Sequence, residues 1–408
     1  MLKNLIINRD FGLLWTSTAI NSIGNQMSII AFPLVGIYLY GTNAMETSII
    51  SALTFLPNLL FGSHAGVYTD LHNKKRILVV SNLANFFVLF LLFVFTVTHT
   101  LPLFVFYAGI FLSSSLGIFN GFAFFSAIPF IVNRKNLQEA NYRLEITNGT
   151  IQTVGPSLGG AIIQLLTVPF AMFVDAFSFL AAGIIQLFLP NQLQAEKLEK
   201  KQTKYWGQIK ESYLFVFRHE ILSPIASSYF FVVLSIGLFQ SLQVYYLSRV
   251  MHLNASLIGI VLSIGNIGFL IGSILSKYLS KKIGSGKSVI LSLFLYSLGF
   301  FLYFIASPSS LYFIILGQMI ISFAPPIYNV NVLTMRQKLV GKEMLARAAA
   351  IWRVLGRGMV PVGALIGGFI STIFQTRTAI LVAVVIGLIG LIPVIMSKKL
   401  RDYRDSVD

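Results

Sequence analysis

The chain reads as an all-α polytopic membrane protein of twelve transmembrane helices, built as two six-helix pseudo-repeats with both termini cytoplasmic. Three observations carry that reading. A hydrophobic share of 56% against 11% charged residues, with a mean hydropathy of +0.79, does not suit a soluble globular chain of 408 residues and makes the bilayer the solvent. Apolar runs of roughly 20 residues, each able to cross a ~30 Å hydrocarbon core, recur about twelve times. All but two of the 30 Lys and Arg lie in or beside the termini and every second connection, with Arg249 and Arg377 opposite; such a bias sets orientation.

The runs centre in order near Ile23, Leu56, Phe87, Leu112, Val154 and Phe179, then Phe231, Gly265, Leu295, Ile320, Gly363 and Gly387. Their connections alternate. Thr42 to Thr47, Thr98 to Pro102, Thr167 to Pro169 and Ala306 to Ser310 carry no Lys or Arg, whereas His72 to Arg76, Asn133 to Glu139, Lys277 to Lys287 and Arg336 to Lys342 are basic. The long polar stretch between Pro190 and Glu220 divides the chain into a first bundle, residues 1–190, a cytoplasmic linker, 191–220, and a second bundle, 221–408. The first apolar run, about Phe11 to Tyr40, is too long for a cleavable signal and lacks a small-residue cleavage site. Pro325-Pro326 is expected to break the tenth helix, because proline removes a backbone donor and clashes with the preceding turn.

A net charge of +16 suggests nucleic acid only in a soluble chain; here retention of cations at anionic headgroups accounts for it, and no nucleic-acid partner is expected. The absence of cysteine removes disulfides, thiolate metal sites and a Cys nucleophile. There is no P-loop, HExxH or GxSxG, so the chain is not expected to be an enzyme or to use ATP, a metal or another cofactor; a proton gradient is the expected drive.

The halves are related. A gapless shift of 208 residues lays Val132 to Gly160 over Val340 to Gly368, matching Leu137 with Leu345, Ala140 with Ala348, Gly155 with Gly363, Gly159 with Gly367 and Gly160 with Gly368. Duplicated six-helix units point to a transporter with its binding site between the halves.

Gly66-Val-Tyr-Thr-Asp70-Leu-His-Asn73-Lys74-Lys75-Arg76 resembles the loop motif GxxxD(R/K)xGR(R/K) of the major facilitator superfamily. Leu71 replaces the usual cation, and Asn73 replaces a glycine while still tolerating the left-handed conformation. Gly155-Pro156-Ser-Leu-Gly159-Gly160 resembles the GPxxGG core associated with exporters; small residues permit close helix packing and proline bends the helix into a pivot. Ile151 stands where the full motif has a glycine. The stretch from Asn329 through Thr334, Gln337, Val340, Arg347 and Arg353 to Pro361-Val-Gly363 and Gly367-Gly368, with Asn8 to Trp15 and Asp175 to Phe179, is similar to the 12-helix drug:proton antiporter branch that includes macrolide efflux proteins and the enterobactin exporter. Asn25 sits where many relatives carry an acid after Gly24.

Asp175, about seven residues into the sixth helix, is the carboxylate well inside a span and the first proton-coupling candidate, with Glu145 second. A structural acid bonded to helix ends or Ser178 is the competing reading. Glu145 and Arg353 occupy equivalent repeat positions with opposite sign. In the fold the resemblance implies, Asp70 would face Arg347 or Arg353, and Glu145 would face Lys281 or Lys282, as two cytoplasmic gate pairs. Arg357 is read as snorkelling and His64 as structural.

The resemblance also implies that helices 1, 4, 7 and 10 line the cavity. Its polar candidates are then Asn21, Asn25, Gln26, Asn120, Gln240, Gln243 and Asn329, with Phe32, Phe124, Phe231 and Tyr328 as aromatic surface. A wall of amides and aromatics suits a neutral or weakly cationic amphipathic molecule, because an anion would want a midplane Arg or Lys. The expected function is export of amphipathic drug-like compounds by proton antiport from the cell membrane, by a monomer. A siderophore or lipid-linked metabolite exporter, a facilitative permease and a non-transporting membrane sensor are the alternatives.

Overall fold

The computed structural model describes residues 8–191, 193, 214–340 and 342–403, with the side chains of residues 63, 70, 134, 138, 342–351, 353, 354 and 357 outside that description. Among the described residues there are helices and no strand. The first half holds α1 (Arg9–Leu39), α2 (Ala44–Leu71), α3 (Lys74–Val97), α4 (Leu103–Ile131), α5 (Leu137–Leu165) and α6 (Val168–Leu187). The second holds α7 (Leu222–Tyr245), extended by a π-turn (Tyr246–Val250), then α8 (Ala255–Ile283), α9 (Ser285–Ile305), α10 (Leu311–Leu339), α11 (Lys342–Ile373) and α12 (Thr376–Ile389), followed by short α13 (Leu391–Met396) and α14 (Lys398–Arg401).

Ten of these helical stretches are long and apolar enough to cross a membrane, so the protein is an all-α polytopic membrane protein. The other two long helices, α5 and α11, begin with polar turns. Glu139, Arg143 and Glu145 open α5, and the apolar part of α11 is confined to Gly358–Ile373.

The described residues form two compact units, one within Met1–Thr42, Leu53–Lys200 and Asn254–Ser263, the other within Asn43–Ala52, Lys201–Leu253 and Ile264–Asp408. Their internal packing follows one plan. In the first, α1 packs on α6 and α5, and α3 on α6 and α4; in the second, α7 packs on α12 and α11, and α9 on α12 and α10. The duplication seen in sequence therefore recurs as a contact order shifted by six helices.

Glycine makes the α1–α5 and α7–α11 contacts close. A Cβ on Gly155 would lie 2.5 Å from Gln26 Cβ, and one on Gly159 3.1 Å from Met27 Cα. Their counterparts Gly363 and Gly367 would meet Leu234 O at 2.2 Å and Leu238 O at 2.9 Å. Gly160 and Gly368 admit the opening turns of another helix, Ala255 of α8 in the first unit and Ser48 of α2 in the second. Without a strong hydrophobic drive between helices in lipid, such close packing is a main source of association. The repeat is also exact in backbone detail at the entries to α5 and α11. Val132 (φ −110°, ψ 128°) and Val340 (φ −106°, ψ 125°) are both extended, and each N–H donates to the carbonyl four residues back.

Two expectations are corrected. α10 runs unbroken through Pro325-Pro326. Backbone groups freed by proline inside a bundle can be satisfied by neighbouring helices and polar side chains, and α9 packs along this helix. Asn73 does not use the left-handed conformation. At φ −66° and ψ 117° it is the N-cap of α3, accepting from Arg76 N and donating to Asn191 O at 2.8 Å. Capping the orphan amides of α3 replaces the turn geometry that a glycine would supply.

Candidate functional site

Asp175 lies in the second turn of α6 and is 1% exposed. Ser28 Oγ of α1 donates to its Oδ2, and Ser178 Oγ lies 3.3 Å from its Oδ1 while donating to its backbone carbonyl at 2.7 Å. The acid fits because α1 has no side chain opposite it. A Cβ on Gly24 would lie 2.4 Å from Asp175 Oδ1 and 2.2 Å from Ser178 Oγ. Its hydrogen-bond partners are thus neutral hydroxyls from two packed helices.

Beside it runs a directed chain of amides. Asn25 Nδ2 donates to Asn21 Oδ1 at 2.8 Å, Asn21 Nδ2 to Asn82 Oδ1 at 3.0 Å, Asn82 Nδ2 to Gln186 Oε1 at 2.7 Å, and Gln186 Nε2 to Ser17 Oγ at 3.1 Å. Ser17 Oγ ends the chain on Leu14 O at 2.9 Å. Asn21, Asn82 and Gln186 each accept at one end and donate at the other, so they are satisfied while buried. Asn120, also a cavity candidate, donates to Ser81 Oγ of α3 at 2.9 Å. Asn85, one turn beyond Asn82 and 0% exposed, has neither amide atom partnered among the described residues.

The second unit holds its own polar knot. Gln243 Nε2 donates to Gln318 Oε1 at 2.6 Å and to Tyr303 Oη at 3.1 Å, while Tyr303 Oη donates to Gln318 Oε1 at 2.7 Å. Tyr246 Oη donates to Tyr303 O at 2.9 Å. Asn82, Gln186 and Tyr303 escaped the sequence reading, since an isolated amide or phenol in an apolar helix carries no periodic signal.

The other named residues are dispersed. Gln26 faces Gly155 of α5; Phe32 packs edge-on to Phe106, with 6.2 Å between centroids; Phe124 is buried against α1 and α3. Phe231 lies beside Gly390. Asn25, Gln240 and Asn329 are exposed, and Tyr328 is buried. Glu145 is exposed on α5, and Lys281 and Lys282 are exposed at the end of α8, with Lys282 Nζ 5.8 Å from the Tyr278 ring. The side chains of Asp70, Arg347, Arg353 and Arg357 lie outside the described residues. His64 is exposed. Arg336, counted in sequence with a basic connection, is instead half-buried in the last turn of α10.

Arg249 and Arg377, the two cations set apart by the charge bias, line one cavity of about 480 Å³ on the second unit with Tyr245, Val250, Ser371, Phe374, Gln375 and Thr376. The π-turn places Arg249 and the first turn of α12 places Arg377, which donates to Ala306 O at 2.8 Å. No group of three or more His, Cys, Asp or Glu fit to hold a metal occurs among the described residues.

The sequence profile of the Major Facilitator Superfamily matches residues 14–226 and again 225–407. The chain belongs to this superfamily. Two successive matches, one per half, agree with the duplicated helix packing. Over 98% of its length this major facilitator chain is 22% identical to the uncharacterised MFS-type transporter YvqJ of Bacillus subtilis (strain 168), covering 95% of that protein. A second B. subtilis protein, the uncharacterised MFS-type transporter YfiS, is 22% identical over 51% of this chain and 49% of its own length. Among solved structures, a mutant of the nucleoside transporter NupG superposes with a TM-score of 0.80 at 11% identity, over 96% of this chain and 100% of that one. A bacterial homologue of the iron transporter ferroportin in an inward-facing state gives 0.76 at 15% identity, over 97% and 100%. At those identities the likeness is one of fold. The protein is thus a multi-pass membrane transporter and not an enzyme.

Proposed function

We propose that this transporter is a twelve-span secondary exporter of amphipathic drug-like compounds in the cell membrane, with both termini cytoplasmic, working as a monomer by proton antiport. The observation that carries the reading is Asp175: a carboxyl inside a membrane span, held by hydroxyls of α1 and α6 and within a turn of the amide chain. Ionisable groups in spans are expensive and mark ion or substrate paths. The amides and aromatics of α1, α4, α7 and α10 support an uncharged or weakly cationic cargo.

The test uses proteoliposomes loaded with a pH-sensitive dye under an imposed proton gradient, challenged with macrolides, lipophilic cations, a catecholate siderophore and lipid analogues. Substrate-evoked proton movement is expected in the wild type and falls to background in Asp175→Asn. Movement that persists in the mutant makes Asp175 a packing residue. Substrate flux without proton movement replaces antiport by facilitated diffusion.

The same proposal keeps Asp70 with Arg347 or Arg353, and Glu145 with Lys281 or Lys282, as charge pairs made in one state of the cycle and broken in another. At about 1 kcal/mol each such pairs shift populations several-fold. A double-mutant cycle of Asp70→Asn and Arg353→Gln is expected to show coupled effects on transport rate; additive effects remove the latch.

A further inference from the structure

The second unit contains a cluster of buried donors with no acceptor among the described residues. The Arg336 guanidinium carbon of α10 lies 4.8 Å from the centroid of the Trp352 ring of α11. Two turns deeper on α10, Tyr328 stacks on Tyr229 of α7, with centroids 5.3 Å apart and planes at 9°. Tyr328 is 5% exposed and Trp352 6%. The Tyr328 hydroxyl and the Trp352 indole N–H are neighbours. Arg336 Nε, Trp352 Nε1 and Tyr328 Oη are each shut away from water and have no hydrogen-bond partner among the described residues. Gly356 of α11 leaves the Tyr229 hydroxyl its space, since a Cβ there would lie 2.6 Å from that oxygen.

This chemistry is lopsided. Arginine and tryptophan offer donors only, a buried donor left unmade costs far more than one exposed to water, and a cation inside a bundle ordinarily faces a carboxylate. Arg336 is half-buried, one turn from the end of α10.

We infer that Arg336, Trp352 and Tyr328 form a binding site for a single oxyanion group, a carboxylate or a phosphate. The guanidinium supplies charge and a planar N–H edge, while the indole N–H and the phenol supply two further donors fixed by packing. The same group comes either from free inorganic phosphate or from the head of an amphipathic molecule whose apolar body lies against Tyr229 and Tyr328. The site is a binding property of the second unit and does not depend on the transport reading.

The test is the thermal unfolding midpoint of the purified full-length chain in detergent, titrated at constant ionic strength with sodium phosphate, sodium benzoate or sodium decanoate against sodium chloride. A saturable rise with an oxyanion, absent with chloride, is expected in the wild type. Arg336→Gln should abolish it, and Tyr328→Phe, which removes one oxygen and keeps the ring stack, should weaken apparent affinity about tenfold. Should Arg336→Gln fail to fold, Tyr328→Phe and Trp352→Phe decide. A rise with phosphate assigns the site to the free anion; a rise with benzoate or decanoate alone assigns it to an amphipathic carboxylate. No saturable oxyanion response in the wild type, or an equal response in every variant that folds, overturns the inference.

Discussion

Gln186 shows how much rests on single polar side chains here. It accepts from Asn82 and donates to Ser17, joining α6 to α3 and α1, with 1% of its surface exposed. In a bilayer a broken interhelical hydrogen bond cannot be remade with water, although measured values remain modest, about 0.6 to 2 kcal/mol. Gln186→Leu removes both bonds and leaves Asn82 Nδ2 buried, so a loss of about 1–3 kcal/mol is expected, read as a lower thermal midpoint in detergent. An unchanged midpoint would show that the chain of amides repacks freely. Asp175 was legible in sequence as a lone acid in an apolar run, and so was its neighbour Ser178. Ser28 was not, because nothing in α1 marks which serine meets an acid 147 residues away.

At the scale of the helix, the small-residue stripes of α5 and α11 were readable as motifs, and the repeat alignment pairs Gly155 with Gly363 and Gly159 with Gly367. What they pack against was not readable. Gly363 meets the backbone of α7 and Gly160 that of α8, whereas Gly149, on the same helix as Gly160, has nothing within 4 Å of a Cβ. Gly363→Ala must push α11 off α7, at a cost of about 1–3 kcal/mol for an overpacked contact. Gly149→Ala should be neutral or gain up to about 1 kcal/mol from helix propensity. Thermal unfolding of the two variants side by side checks the contrast, and equal effects would contradict the packing. The unbroken α10 carries a related lesson. A Pro-Pro pair predicts a break from local rules alone, yet in a bundle neighbouring helices hold such a stretch in line.

For the whole molecule, the alternation of basic and uncharged connections along the sequence makes a simple prediction. The chain has no cysteine, so a single introduced thiol reports its side of the membrane without background. Thr98→Cys and Ser309→Cys, both at exposed positions, should react with a membrane-impermeant maleimide on intact cells. Arg76→Cys and Lys287→Cys, also exposed, should react only after permeabilisation. The reverse pattern would place the termini outside. The same charge bias left Arg249 and Arg377 as isolated exceptions, and folding brings both to one cavity.

Helix class, superfamily and duplication were determined by the sequence alone, because the bilayer imposes constraints that run along the chain: span length and continuous hydrophobicity. Pairings between polar groups were decided only by the tertiary structure. Asn21 finds Asn82, Asn82 finds Gln186 and Gln186 finds Ser17 across separations of 61, 104 and 169 residues, and Arg336 turns from a loop cation into the partner of Trp352. A polar residue in an apolar helix has many faces and neighbours open to it, and the cost of burying it unpaired selects among them only once the helices have packed.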